Sequence, residues 1–209
     1  MFAQSPAALD SVLADVLEDA GNEMNALARL VLQRAQVQWR ELDAHIGWCD
    51  ERIAAHARAN DAVKKAATLL GIGPVTASAV VATVGEFKQF RNGAQFGAWI
   101  GLVPRQHSSG GKNSLGGITK RGDTYLRSLL IQGAKSAVLT AHKRSDPISR
   151  WAAALRERVG WQKAAVALAN KNARILWAVM TKDQPFDARH VSVNPGVAAP
   201  LQTSAACLN

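Results

Sequence analysis

The chain has 209 residues, 48% of them hydrophobic, and its 25 Lys and Arg against 16 Asp and Glu leave a net charge of +9. That length holds one domain, or two small ones, around a real hydrophobic core. No apolar run reaches the roughly 20 residues of a membrane span. The start, MFAQSPAALDS, lacks signal-peptide order, and Cys49 and Cys207 have neither metal-ligand nor disulfide-framework spacing. Neither a membrane-spanning helix nor a disulfide framework is suggested, and a soluble, cytoplasmic chain is expected.

The charge is polarised. Residues 1–66 hold 7 Lys and Arg against 10 Asp and Glu, whereas residues 100–182 hold 15 against 3, a net of +12. A basic chain is either merely soluble or built for a polyanion. Concentration of the charge in one segment favours the polyanion, most often nucleic acid.

The first third reads as helix. SPAALDSVLADVLEDA offers Ser5 as N-cap, Pro6 at the first helical position and apolar residues at helical spacing up to Leu17, and Gly21 and Asn22 end it. A longer helix is predicted from about Glu23 to about Ala59. Its stripe of Leu27, Val31, Ala35, Leu42, Ile46, Cys49 and Ile53 is narrow, diluted by Gln38 and His45. It fits a coiled coil or antiparallel helical hairpin, and equally an ordinary bundle helix. The acids of residues 1–66 sit at helical-surface spacings, which suits a solvated face and gives no metal site.

Residues 60–66 are polar and lead into ATLLGIGPVTASAVVATVG. Here an apolar helix end meets Gly71 and Gly73, and Pro74 opens a second helix. This is a helix–hairpin–helix pattern. The glycines permit the tight turn, and the helix start presents N–H groups able to hold a phosphate without reading sequence. A purely structural helical hairpin has the same pattern. Phe87, Phe90, Phe96, Trp99 and Ile100 follow at helical spacing, better suited to a core stripe than to base stacking. Asp123 is the expected N-cap of a helix carrying Leu126, Leu129, Leu130 and Val138. Residues 146–182 give one or two more helices, with Trp151, Trp161 and Trp177 as core anchors and Arg150, Arg156, Arg158, Lys163, Lys171 and Arg174 on the outside. The tail from 183 is expected to be disordered.

Between these helices lies GLVPRQHSSGGKNS, residues 101–114. Ser108 and Ser109 offer hydroxyl nucleophiles, Gly110 and Gly111 allow close backbone approach, and His107 can accept a proton. Lys112, Lys120, Arg121 and Arg127 can stabilise the charge of a phosphoryl-transfer transition state. A solvated Ser/Gly/Lys linker has the same composition.

Residues 69–138 resemble the C-terminal transposase domain of the insertion-sequence 110/116/902 group. The likeness rests on the order and spacing of GIGP, F…F…GLVPRQHSSGGK and GGITKRGDTYLRSLL, with NKNARILWAV at 170–179 as a further match. It extends over most of residues 1–182, the long helix resembling the family's coiled-coil linker. The resemblance implies a serine nucleophile that links covalently to DNA, placed on Ser109 with Ser108 as the alternate. Gly71 and Gly73 of the hairpin, and Lys112, Lys120, Arg121 and Arg127, are the expected nucleic-acid contacts. It also implies oligomers guided by a structured RNA, and Mg²⁺ held by a separate RuvC-like domain that this chain is expected to lack, so no cofactor is expected here. The expected architecture is all-α: a helical coiled-coil-like region at 1–66, then a domain at 67–182 with the helix–hairpin–helix at about 67–100 and the serine loop at about 101–118. A different expectation is a non-catalytic nucleic-acid-binding or dimerisation module. A junction-binding repair protein ranks below both, because it gives the serine loop no purpose.

Overall fold

The computed structural model describes residues 5–107, 114–182 and 186–187. The tail expected from 183 falls almost wholly outside them. The described chain is all-α apart from two short strands, and it divides into two compact units at Ala59/Asn60.

In the first unit, α1 (Pro6–Glu18) starts at Ser5, whose Oγ accepts from the Ala8 amide at 3.2 Å. The 34-residue α2 (Ala26–Ala59) is about 51 Å long at 1.5 Å per residue. The two run antiparallel. Near the start of α2, Arg29 donates to the carbonyls of Leu17 and Asp19 and so caps the end of α1. Further along, Gln36 Nε2 (2.9 Å) and Arg40 Nε (3.1 Å) donate to the Asp10 carboxylate. The Arg40 and Gln36 hydrogen bonds hold the Asp10 carboxyl below the usual carboxylate range. Because α1 is so much shorter, it cannot match the length of α2. Within this unit residues 40–52 are exposed, Leu42, Ile46 and Trp48 among them.

The second unit opens with α3 (Asp61–Ala67). The segment predicted as a polar lead-in is already helical here, because the Asn60 side chain caps it and Val63 and Ala66 are buried. A turn leads to α4 (Pro74–Val84), and a 3-10 turn at Phe87–Gln89 precedes α5 (Gly93–Ile100), capped by Asn92. Strands β1 (Pro104–Gln106) and β2 (Leu115–Ile118) pair antiparallel, with Pro104 opposite Ile118 and Gln106 opposite Leu115. Then come α6 (Thr124–Thr140), a 3-10 turn at Ala141–Lys143, α7 (Pro147–Val159) and α8 (Trp161–Lys182).

Helix α8 is the hub, packed against α3, α5, α6 and α7. It can reach four neighbours because its inward positions are mostly small: Ala164, Ala165, Ala169 and Ala173 are buried beside Leu168 and Leu176. Phe87, Phe90 and Phe96 form an aromatic core with ring centroids 5.1–5.4 Å from Phe96, and Ile100 is buried with them, whereas Trp99 of the expected stripe stays 39% exposed. Burying Phe96 completely stabilises the fold by about 1.5–3 kcal/mol. Asn172 Nδ2 donates to the Leu70 carbonyl at 2.7 Å, tying α8 to the turn before α4.

Two of the three tryptophans expected as core anchors lie on the surface. Trp151 and Trp161 are 37% and 40% exposed. The small residues that let α7 and α8 pack closely leave no room inside for an indole. Instead Lys171 Nζ lies 4.7 Å from the Trp151 ring and Lys135 Nζ 5.8 Å from that of Trp161. Trp177 is partly buried, and its Nε1 donates to the Phe87 and Phe90 carbonyls.

Candidate nucleic-acid site at a clamped hairpin

The segment read as a serine loop is carried by the hairpin of β1 and β2. Ser108, Ser109, Gly110, Gly111 and Lys112 lie outside the described residues. The pairing closest to them is the His107 amide on the Ser114 carbonyl, at 2.9 Å.

The foot of the hairpin is fixed by backbone against backbone. Gly101 (φ +81°) ends α5 and Gly122 (φ +98°) precedes α6. A Cβ on Gly101 would fall 1.9 Å from the Arg121 carbonyl oxygen, and one on Gly122 would fall 1.8 Å from that of Trp99. Across this contact Lys120 N donates to the Gly101 carbonyl (3.1 Å) and Thr119 N to that of Val103 (2.9 Å). Lys120 is left with φ +56°, which is uncommon for a residue other than glycine. Its side chain and that of Arg121 are exposed, as are Arg105 and His107 on the other arm. The structure thus brings Lys120 and Arg121 together at the foot of the segment that contains Ser109.

Arg127 is placed differently. It is buried, and its Nη1 donates to the Ile100 carbonyl at 3.1 Å while Nη2 donates to Thr124 Oγ1 at 3.1 Å. The guanidinium therefore ties the end of α5 to the start of α6, just behind the glycine contact. Asp123 caps α6 from the same corner, accepting from Leu126 N at 2.8 Å. Arg127→Ala would leave the Ile100 carbonyl without its partner. It is expected to destabilise the fold by about 2–4 kcal/mol in denaturant titration, with Arg127→Lys recovering part of the loss.

The two glycines of the GIGP turn differ in the same way. Gly71 (φ +80°) lies against α6: a Cβ there would sit 2.6 Å from the Gly133 carbonyl oxygen. Gly73 (φ −88°) is exposed at the N-cap of α4, with nothing near its missing side chain. Gly71 shapes the packing, and Gly73 starts α4 without a side-chain cap for the Val75 and Thr76 amides.

Gly101, Gly122 and Gly133 carry this geometry, and none was singled out from the sequence. The available signal was a glycine directly after an apolar helix end (WIGL) and another directly before an N-cap aspartate (RGD). Among the described residues no three of His, Cys, Asp and Glu come together as a metal cage, and no helix is long and apolar enough to cross a membrane.

Residues 63–149 match the Transposase IS116/IS110/IS902 family. The matched segment runs from α3 into α7 and contains the hairpin and the clamp whole. Among its relatives, the "Probable family 20 transposase" of Pseudomonas aeruginosa is 43% identical over 183 residues, covering 88% of this chain and 50% of the relative. The "Transposase for insertion sequence element IS1111A" of Coxiella burnetii is 46% identical over 144 residues, 69% of this chain and 40% of the relative. The "Pilin gene-inverting protein" of Moraxella lacunata is 27% identical over 125 residues, 59% and 38%. The chain spans about half the length, or less, of these curated relatives.

Proposed function

We propose that this chain supplies the nucleophile-bearing, nucleic-acid-binding part of a transposase. The observation that carries the reading is the exposed pair Lys120 and Arg121 at the foot of a clamped hairpin, inside the segment that matches the transposase family. Ser109 Oγ attacks the phosphorus of a DNA phosphodiester, with Ser108 as the alternate. The new Oγ–P bond replaces a P–O bond to deoxyribose, and the departing sugar oxygen takes up a proton. His107 accepts the serine proton, and Lys112, Lys120 and Arg121 stabilise the charge on the phosphoryl oxygens. Gly110 and Gly111 allow the backbone to approach the phosphate. Arg127 holds the hairpin foot behind them. The start of α4 beside the exposed Gly73, which has no side-chain cap, gives a second phosphate contact, so that α3, the turn and α4 work as a helix–hairpin–helix. Divalent-metal chemistry belongs to a RuvC-like part of the complete enzyme, and no step here runs through a metal.

The partners are DNA and a structured guide RNA. The exposed stripe on α2 (Leu27, Val31, Leu42 and Ile46) supports a homo-oligomer formed through that helix. The same stripe favours the second reading, a binding and dimerisation module without chemistry.

Binding across a salt series tests the shared part of both readings. Duplex DNA and a structured RNA should both bind, with log affinity falling by about 0.9 per log unit of salt for each duplex phosphate neutralised. Ser109→Ala should bind like the wild type. Failure to bind either nucleic acid at low salt overturns the assignment.

A further inference from the structure

A groove of about 1000 Å³ lies on the second unit, among the starts of α5 and α7 and the outer face of α8. It touches α5 at Asn92, Gly93 and Ala94, whereas the hairpin leaves α5 at its other end, past Ile100. The eight residues of α5 put about 12 Å between the two.

Its lining is unlike that of an ordinary apolar cleft. Lys171, Arg174 and Lys182 face it against one described carboxylate, Asp187. Trp151 forms part of the wall and keeps 37% of its surface exposed, with the Lys171 ammonium 4.7 Å from its ring. Asn170 also lines the groove, with its Oδ1 turned inward against Gly97 of α5. The acid at the start of α7 is already engaged. The Asp146 carboxylate accepts from the Ser149 hydroxyl (2.7 Å) and amide (2.9 Å) and from Arg144 (3.2 Å). Burial would raise the Asp146 carboxyl, but these hydrogen bonds outweigh it and hold the group below its ordinary range.

Cations in a row on one helix, beside an indole wall, fit a polyanion that also carries flat apolar faces. A duplex offers phosphates on its outside but keeps its base faces stacked inside. An unpaired strand offers both. We propose that this groove binds a single-stranded stretch of nucleic acid, with phosphates on Arg174 and Lys182 and a base against Trp151. The site rests on the nucleic-acid reading above and adds a place and a strand state to it. It lies at the other end of α5 from the hairpin foot.

The test uses the full chain, a labelled oligo(dT) and a duplex of matched length. Each cation removed should flatten the single-strand salt dependence by about 0.7 per phosphate contact, so Arg174→Ala with Lys182→Ala should flatten it by about 1.4. Trp151→Ala should weaken oligo(dT) binding about tenfold. Trp151→Phe should keep most of the affinity and lose part of the tryptophan quenching on binding. Both cations are exposed, so thermal unfolding of the double variant should match the wild type. If the wild type binds neither nucleic acid, the nucleic-acid reading itself fails. If it binds and the variants bind oligo(dT) with the wild-type slope, the groove assignment is overturned and that reading stands. Equal losses on oligo(dT) and duplex overturn the single-strand assignment.

Discussion

Gly122→Ala and Gly101→Ala are each expected to lower the free energy of unfolding by about 3 kcal/mol or more, read from urea or thermal melts. Two causes act together. Both residues have φ near +80 to +100°, which costs any L side chain about 1–2 kcal/mol. Each added methyl would also fall inside 2 Å of a carbonyl oxygen, at Arg121 or at Trp99. Neither oxygen belongs to a flexible side chain, so relief requires the two arms of the hairpin foot to move apart. That movement would break the Lys120 to Gly101 hydrogen bond. Gly73→Ala is the control: its φ is ordinary, nothing lies within 4 Å of the new methyl, and stability should change by less than about 0.5 kcal/mol. A Gly122→Ala protein as stable as the wild type would contradict the clamp.

The largest effect on activity is expected at Ser109. With the portion of the longer relatives that this chain does not span added in trans, the wild type should form a protein–DNA adduct that survives denaturing gels. Ser109→Ala should lose that adduct and its strand transfer by at least about a thousandfold, because without the hydroxyl no covalent link can form. Ser109→Cys leaves a nucleophile and should retain a residue of activity. Adduct formation by Ser109→Ala but not by Ser108→Ala would move the nucleophile one residue back. Adducts in neither wild type nor variants, with nucleic-acid binding intact, would favour the module without chemistry.

Local signals in the chain were read correctly where their cause is local. Ser5 and Asp123 are capping residues because their side chains reach an amide three residues on, and both do so here. Phe87, Phe90 and Phe96 form a core as expected, but by aromatic size and not by helical spacing, since Phe87 and Phe90 precede α5 and only Phe96 lies on it. The hairpin strands were invisible: PRQ and LGGI are too short to alternate, and two glycines weaken the second. The clamp joins Gly101 to Gly122 and the turn joins Gly71 to Gly133, contacts between residues far apart in the chain that no spacing rule encodes. Arg127 looked like its basic neighbours because composition carries no depth. Only the folded corner shows that its guanidinium donates inward, to the Ile100 carbonyl. Trp151 and Trp161 misled for the opposite reason. Large apolar size predicts burial, but the alanine-lined contacts of α8 closed the interior to them.

The glycine contact also separates two tasks that share one stretch of chain. Leu102 is buried in the domain, but β1 and β2 beyond it are mostly exposed, and the chain enters and leaves through the contact of Gly101 with Arg121 and of Gly122 with Trp99. The hairpin is therefore a replaceable cassette. Changes of length between His107 and Ser114 are expected to leave the packing of the helices beneath intact. A graft of the tip between relatives should therefore leave the melting temperature of the domain close to that of the wild type.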